Sequence, residues 1–290
     1  MAMTSPKASL QPTLWRVLDT VLRAAGWSTF LIVYGLCRYR THLVSENLSH
    51  AFPNLNDAER RELSKKFYRF LANIAVQVAV ARFLPSGYLR QRVLIKNPEL
   101  LAKVTDDFSK QAVVLLIHQG NWEWVSLASS IHLPVRIDPV YKPLHSAFWD
   151  KYLLRTRSRF GASPIAMKDV GRNLLQRRRE PRLVGLIADQ AGNTQQGYWT
   201  TFMHRPAAFY RGAQKISGAL NTPVVFAQCS TVGATQYQIE FIEMGVTRAL
   251  NEEDQIVREF VAHAERSIRE QPHTYLWSNR RWKQVPAEAE

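Results

Sequence analysis

The chain has 290 residues, 46% of them hydrophobic and 11% aromatic, enough to bury one sizeable core and too ordered in composition for an extended or low-complexity protein. Lys and Arg number 38 against 24 Asp and Glu, a formal charge of +14. The partners this implies are anionic, namely a lipid surface, an acidic protein or nucleic acid, with an ordinary solvated basic surface as the plain alternative. Two cysteines, Cys37 and Cys229, lie far apart without metal or CxxC spacing and read as reduced core or membrane-facing residues.

Residues 1–11 are predicted to be disordered, and no long apolar core follows Lys7 as a standard secretory signal requires. From Leu14 the pattern is helical, with Val17, Leu18, Val21, Leu22 and Ala25 on one face and Arg16, Asp19 and Arg23 off it. Gly26 is expected to interrupt. Residues 27–37 are nearly all apolar and end in Arg38-Tyr-Arg40. A run of roughly a dozen is short of the ~20 needed to span a bilayer. Insertion into one leaflet, a buried helix packed on the main domain and, with residues 17–22 included, a spanning helix are the three readings, of which insertion fits the basic exit best.

Residues 41–52 form a short amphipathic helix ended by Pro53. Asn56 or Asp57 caps a longer one with Leu63, Phe67, Phe70, Leu71, Ile74 and Val78 inward, ended by Pro85-Ser-Gly87. A strand over 92–96 and a short helix over 98–104 follow.

Residues 112–117, Ala-Val-Val-Leu-Leu-Ile, read as a buried strand that ends abruptly in His118. A Gly120-Asn121 turn leads into Trp122-Glu123-Trp124 and a helix. The chemical reading is a general base, with Glu123 orienting the His118 imidazole at the carboxyl edge of the sheet. The plain reading is a strand-capping histidine and a glutamate that favours the helix dipole.

A strand over 134–141 and a helix over 145–160 come next, closing with Arg155, Arg157 and Arg159 before Gly161. A brief strand at 163–165 and a helix over 170–179 lead to a second buried strand, 183–188, which ends in Asp189-Gln190. Residues 192–201 read as a polar loop able to act as a lid. A helix over 208–220, strands over 222–229 and 236–242, and a helix capped by Asn251 complete the pattern. The tail 275–283 interleaves aromatics and cations, read as packing on the sheet edge, with nucleic-acid stacking as the weaker alternative. Residues 284–290 are expected to be disordered. Alternation of strand and helix from 112 to 270 makes the fold α/β: a mixed, mostly parallel central sheet flanked by helices, with an N-terminal helical extension that associates with membrane.

Five segments together carry a resemblance. They are Arg38-Tyr-Arg…Glu46-Asn-Leu…Ala51-Phe-Pro53, His118-Gln-Gly-Asn-Trp-Glu123, Arg159-Phe-Gly-Ala162 before a short strand, Asp189-Gln190, and Phe202-Met-His-Arg-Pro-Ala207. In this order they resemble the bacterial lipid A late acyltransferases, a branch of the glycerolipid and lysophospholipid acyltransferase superfamily, over roughly residues 30–283. One departure stands out: the family has a glycine where this chain has His204. A side chain there puts headgroup fit in doubt and raises a minor option of His204 as a second base.

The resemblance implies an O-acyltransferase domain over 89–283, preceded by a membrane-associating helical region over 12–88. It implies transfer of a fatty acyl chain from a thioester to a hydroxyl of a lipid A precursor. His118 would be the base and Glu123 its partner. Arg159, with Arg155 and Arg157 as lesser candidates, or backbone N–H groups near Gly120, would stabilise the oxyanion. A plain reading of Arg159 is a cation satisfying a helix C-terminus. Gly120, Asn121, Asp189, Gln190 and Arg205 are expected around the substrate, Asp189 by orienting a site arginine or the headgroup. No metal or cofactor is expected. The donor is acyl carrier protein, with acyl-CoA as the other option, and the partners are the lipid acceptor and an anionic inner leaflet, not nucleic acid. This places the protein at the cytoplasmic face of a bacterial inner membrane. Alternatives are another acceptor (a lysophospholipid, an ornithine lipid or phosphatidylinositol mannoside) or a non-catalytic basic membrane-binding protein.

Overall fold

A computed structural model describes residues 6–190, 197–244 and 254–283. The expectations for residues 1–5 and 284–290, for the first part of the lid loop and for the Asn251 cap fall outside them. Helix α1 runs Pro6–Phe30 and continues as a π-helical turn, Leu31–Leu36. Gly26 does not interrupt it. A Cβ there would overlap the Asn73 side chain, so the glycine lets α1 lie close against the helix Asp57–Val80. Disorder expected up to residue 11 gives way to helix from Pro6.

Helix α2 (Thr41–Ala51) and helix α3 (Asp57–Val80) follow. Asn56 caps α3 through the N–H groups of Ala58 and Glu59, and Glu59 returns a bond to the Asn56 N–H, a capping box. One face of α1 buries Trp15, Leu22 and Phe30, while Leu14, Val17, Val21, Leu31, Ile32 and Leu36 stay exposed. Asp19 accepts bonds from Arg92 at 2.6 Å and from the Tyr88 hydroxyl at 2.6 Å, which pins the helix to the domain. Thr13–Leu36 is nonetheless long and apolar enough to cross a membrane. One face of this helix packs on the domain, as the buried-helix reading expects, and the other is bare.

Helix α4 (Ser86–Arg92) leads to strand β1 (Val93–Ile95) and helix α5 (Pro98–Val104). Then come β2 (Ala112–Leu116), α6 (Trp122–His132), β3 (Arg136–Tyr141), α7 (Ala147–Arg157), β4 (Ile165–Ala166), α8 (Val170–Gln176) and β5 (Arg182–Ile187). Strands β6 (Tyr198–Phe202) and β7 (Arg205–Phe209) form a hairpin where a lid loop and the start of a helix were expected. Helix α9 (Gly212–Leu220), strands β8 (Val224–Gly233) and β9 (Gln236–Glu243), and helix α10 (Gln255–Glu270) complete the chain.

The central sheet has seven strands in the order β1-β9-β8-β2-β5-β3-β4. Strands β8, β2, β5, β3 and β4 are mutually parallel, and β9 joins β8 antiparallel and carries β1 with it. Why the 112–117 run lacks polar residues is now plain. Val113, Leu115 and Ile117 face one core, with α2, α10 and the hairpin, while Ala112 and Val114 face the other, with α4 and α6. A strand covered on both faces has no wet side to make polar.

Candidate active site

Strands β2 and β5 pair with Leu116 opposite Ile187. Two residues further along each, at the carboxyl edge, the same register brings His118 against Asp189, and His118 Nδ1 lies 2.7 Å from Asp189 Oδ1. Ionised carboxylate oxygens only accept, so Nδ1 carries the proton and Nε2 presents its lone pair. The Gln190 amide nitrogen stands 3.5 Å from that Nε2, and Trp122 packs edge-on against the imidazole with centroids 5.1 Å apart.

Burial alone would lower the His118 pKa, but the Asp189 carboxylate, with Glu123 further off, outweighs it and raises the value. Burial likewise pushes Asp189 up, and His118, then Arg281, more than reverse this, so its carboxyl lies below the ordinary range. Asp189 is fully buried, and its Oδ2, the Tyr275 hydroxyl and Arg281 Nε make no hydrogen bond among the described residues.

Glu123 has a different partner from the one expected. Its carboxylate takes Arg157 in a two-point ion pair, Nε to Oε2 at 3.0 Å and Nη2 to Oε1 at 2.5 Å. Arg157 comes from the last turn of α7 and Glu123 from the first turn of α6. Burial would depress the Arg157 pKa, and Glu123 raises it instead. Arg159 points elsewhere: its Nη1 and Nη2 donate to the Ala81 and Leu84 carbonyls at 2.6 and 2.9 Å. The guanidinium beside Glu123 is thus Arg157, since residues two apart on a helical turn face different sides. Arg155 is not part of this pair.

Gly120, Asn121 and Arg205, also expected around the substrate, make contacts within the protein. The Gly120 N–H donates to the Thr274 carbonyl at 3.1 Å and so is occupied. With φ at +65° and a Cβ that would overlap Cys229 Sγ, position 120 admits glycine only. Fully buried Asn121 caps α6 through the Trp124 N–H and donates to Gln77 at 2.8 Å. Arg205 sits over the Trp282 ring and 3.5 Å from Glu46 on α2. His204 and Met203 form the two-residue turn of the β6–β7 hairpin, with φ of +67° and +50°. The family glycine there answers a backbone requirement, because such turns need positive φ. His204 is exposed, 3.5 Å from Arg269.

The His118 loop is braced by the C-terminal segment. Gln119 donates to the Ser267 carbonyl and to Thr274 Oγ1, and the Leu276 N–H donates to the His118 carbonyl at 2.9 Å. Sequence reading saw aromatics and cations in this tail but not Tyr275 and Arg281 beside Asp189. No local periodicity marks a contact of that kind.

An apolar cavity of about 80 Å³ lies between α6 and the sheet, with Trp122, Glu123 and Arg157 in its lining. Ser126 and Ser129 line its helix side, Val114, Leu116 and Gly185 its sheet side, and Leu133 and Leu183 also contribute. Among the described residues, no three His, Cys, Asp or Glu side chains converge as metal ligands.

The site joins a histidine at a sheet edge, a buried carboxylate bonded to it and an apolar cavity nearby in an α/β fold. The model of the bacterial lipid A biosynthesis acyltransferase family matches residues 16–284, and the chain belongs to that family. Comparison with individual curated proteins finds no match.

Proposed function

We propose that this acyltransferase moves a fatty acyl chain from acyl carrier protein to the hydroxyl of a hydroxyacyl chain on a lipid A precursor, a Kdo-bearing tetra-acylated glucosamine disaccharide. The observation that carries the reading is the Asp189–His118 pair, which directs the Nδ1 proton to the carboxylate and, in the neutral imidazole, leaves Nε2 as the acceptor. Nε2 removes the acceptor hydroxyl's proton as its oxygen attacks the thioester carbonyl. The C–O bond forms, the carbonyl electrons move onto oxygen, and their return breaks the C–S bond. The leaving thiolate takes the proton from the imidazolium, so atoms and charge balance without an acyl-enzyme.

Asp189 holds the tautomer and stabilises the imidazolium. We assign the developing oxyanion to Arg157, which lines the apolar cavity beside Glu123. Its Nε and Nη2 serve Glu123, and Nη1 makes no hydrogen bond among the described residues. In this reading Glu123 is the positioning residue for Arg157 and a second negative charge near His118. The apolar cavity takes the first few carbons of the acyl chain, all that about 80 Å³ holds. A charge of +14 suits both an acidic carrier protein and an anionic inner leaflet, which supports a reaction at the cytoplasmic face of the inner membrane.

The test is transfer of labelled acyl chains from acyl carrier protein and from CoA, in parallel, to the tetra-acyl lipid A precursor, lysophosphatidate and an ornithine lipid precursor. Product from acyl carrier protein on the lipid A precursor alone, lost in His118→Ala, is expected. Equal product from His118→Ala, or transfer only to another acceptor, overturns the reading.

A further inference from the structure

A second cavity, of about 650 Å³, lies at the base of the exposed apolar helix and shares no residue with the site above. Tyr34, Gly35 and Arg38 form its wall on the helix exit, Thr41 and Ser45 on α2, and Asp57, Arg60, Arg61 and Ser64 on α3. The geometry points to a binding site for the phosphodiester headgroup of an anionic phospholipid, held by Arg38 and Arg61, with its chains against the bare face of Leu31, Ile32 and Leu36.

Charge decides the class of ligand. Asp57 is the only carboxylate in the lining, and Arg60 takes it at 2.5 Å while also donating to the Leu55 carbonyl. Arg40 leaves the cavity altogether and donates to the Ser278 carbonyl at 2.7 Å. Neither Arg38 nor Arg61 makes a salt bridge among the described residues. Two guanidiniums remain outside any salt bridge, Arg61 in the field of Asp57, and the lining also holds the hydroxyls of Thr41, Ser45 and Ser64, a donor set suited to phosphate oxygens. Helix α2 adds to the field, since its N-terminus has no side-chain cap and no acidic residue in its first turn.

Position decides the source of the phosphate. Leu36 is 81% exposed and stands two residues before Arg38, so the chain passes from hydrocarbon-facing to cationic within one turn. That is the spacing of acyl chains and headgroup in one leaflet. The turn itself is held: the Tyr68 hydroxyl donates to the Tyr39 carbonyl at 2.6 Å. A free phosphate would use the arginines but gain nothing from Leu31, Ile32 and Leu36.

The inference does not rest on the proposed reaction, and its test reads binding, not turnover. The full chain in neutral detergent is titrated with dihexanoyl phosphatidylglycerol, dihexanoyl phosphatidylcholine and inorganic phosphate. One saturable site for phosphatidylglycerol is expected, with phosphatidylcholine and inorganic phosphate each at least tenfold weaker. Arg38→Gln/Arg61→Gln should weaken phosphatidylglycerol binding by roughly thirtyfold, the scale of two cations at an anionic surface. Arg178→Gln/Arg179→Gln, which removes the same charge from an exposed run elsewhere, should leave it unchanged. Ser45→Trp, at an exposed wall position, fills the cavity with both arginines retained and should also abolish the site. Absence of saturable binding overturns the inference, as does equal loss in both arginine pairs. Inorganic phosphate binding as tightly as the lipid would make it a free-phosphate site and overturn it too.

Discussion

His118 and Asp189 lie 71 positions apart in sequence and 2.7 Å apart in space, because β2 and β5 pair in parallel with Leu116 opposite Ile187. The pair is a direct continuation of that register past the strand ends. Asp189→Asn keeps the shape but offers an amide where the imidazole needs a carboxylate. Loss of roughly four orders of magnitude in kcat, the scale for such a change behind a catalytic histidine, is expected with little change in KM. Steady-state kinetics check it, and wild-type turnover in the variant would remove Asp189 from the machinery.

The same pair sets the pH profile. His118 acts as a base only when neutral, and its pKa is raised above the ordinary 6.5. The acid limb of kcat/KM should therefore rise through a value above 6.5, and Glu123→Gln, which removes a second nearby negative charge, should move that limb to lower pH. A limb at or below 6.5 in the wild type contradicts the assignment.

Stability follows the two shifts in opposite senses. His118 is raised on folding, so its contribution is full below 6.5 and is lost as pH rises through the higher folded value. Asp189 is lowered, so its contribution is present above the ordinary 3.8 and is lost as pH falls through the lower folded value. Denaturant midpoints measured across pH should show both losses, and His118→Gln should remove the alkaline one.

Glu123 and Arg157 are both largely buried, at 6% and 17% side-chain exposure. Glu123→Gln leaves a buried guanidinium without its counter-ion, at a cost of about 3 kcal/mol in chemical denaturation. Arg157→Lys keeps the charge but loses the two-point geometry. Activity losses in the double variant should be smaller than the product of the single losses, as for groups that act together. Multiplicative losses would show that the two act independently.

Gly185 faces the apolar cavity, and a Cβ there meets nothing nearer than Leu116 Cδ1 at 3.9 Å. Gly185→Leu therefore projects into the space assigned to the acyl chain. Donors with shorter chains should retain transfer and longer ones lose it, read by competition between labelled donors. An unchanged chain-length profile would place the acyl chain elsewhere. At the hairpin turn, His204→Gly relieves a left-handed backbone worth about 1 kcal/mol and should raise the melting temperature by roughly 2 °C, with activity unchanged.

Local chemistry made much of this legible from sequence. The unbroken apolar run before His118 announced a strand covered on both faces, Asn56 or Asp57 announced a helix start, and the spaced motifs announced the family. Each signal is carried by neighbours in the chain, where periodicity and capping operate. Partnerships were not legible in the same way. Glu123 lies five positions from His118 yet pairs with Arg157, 34 positions on, while Asp189 reaches His118. Strand order decides the second pairing and the docking of α7 on α6 the first, and neither leaves a local periodic trace. Nor does a motif glycine reveal whether it serves a ligand or a dihedral angle. Position 204 proves to be a hairpin turn only once β6 and β7 are paired. The sequence alone determined the family and put His118 at the end of a buried strand; the tertiary structure decided which carboxylate holds His118 and which arginine pairs with Glu123 beside the apolar cavity, because those choices depend on register and packing between distant segments.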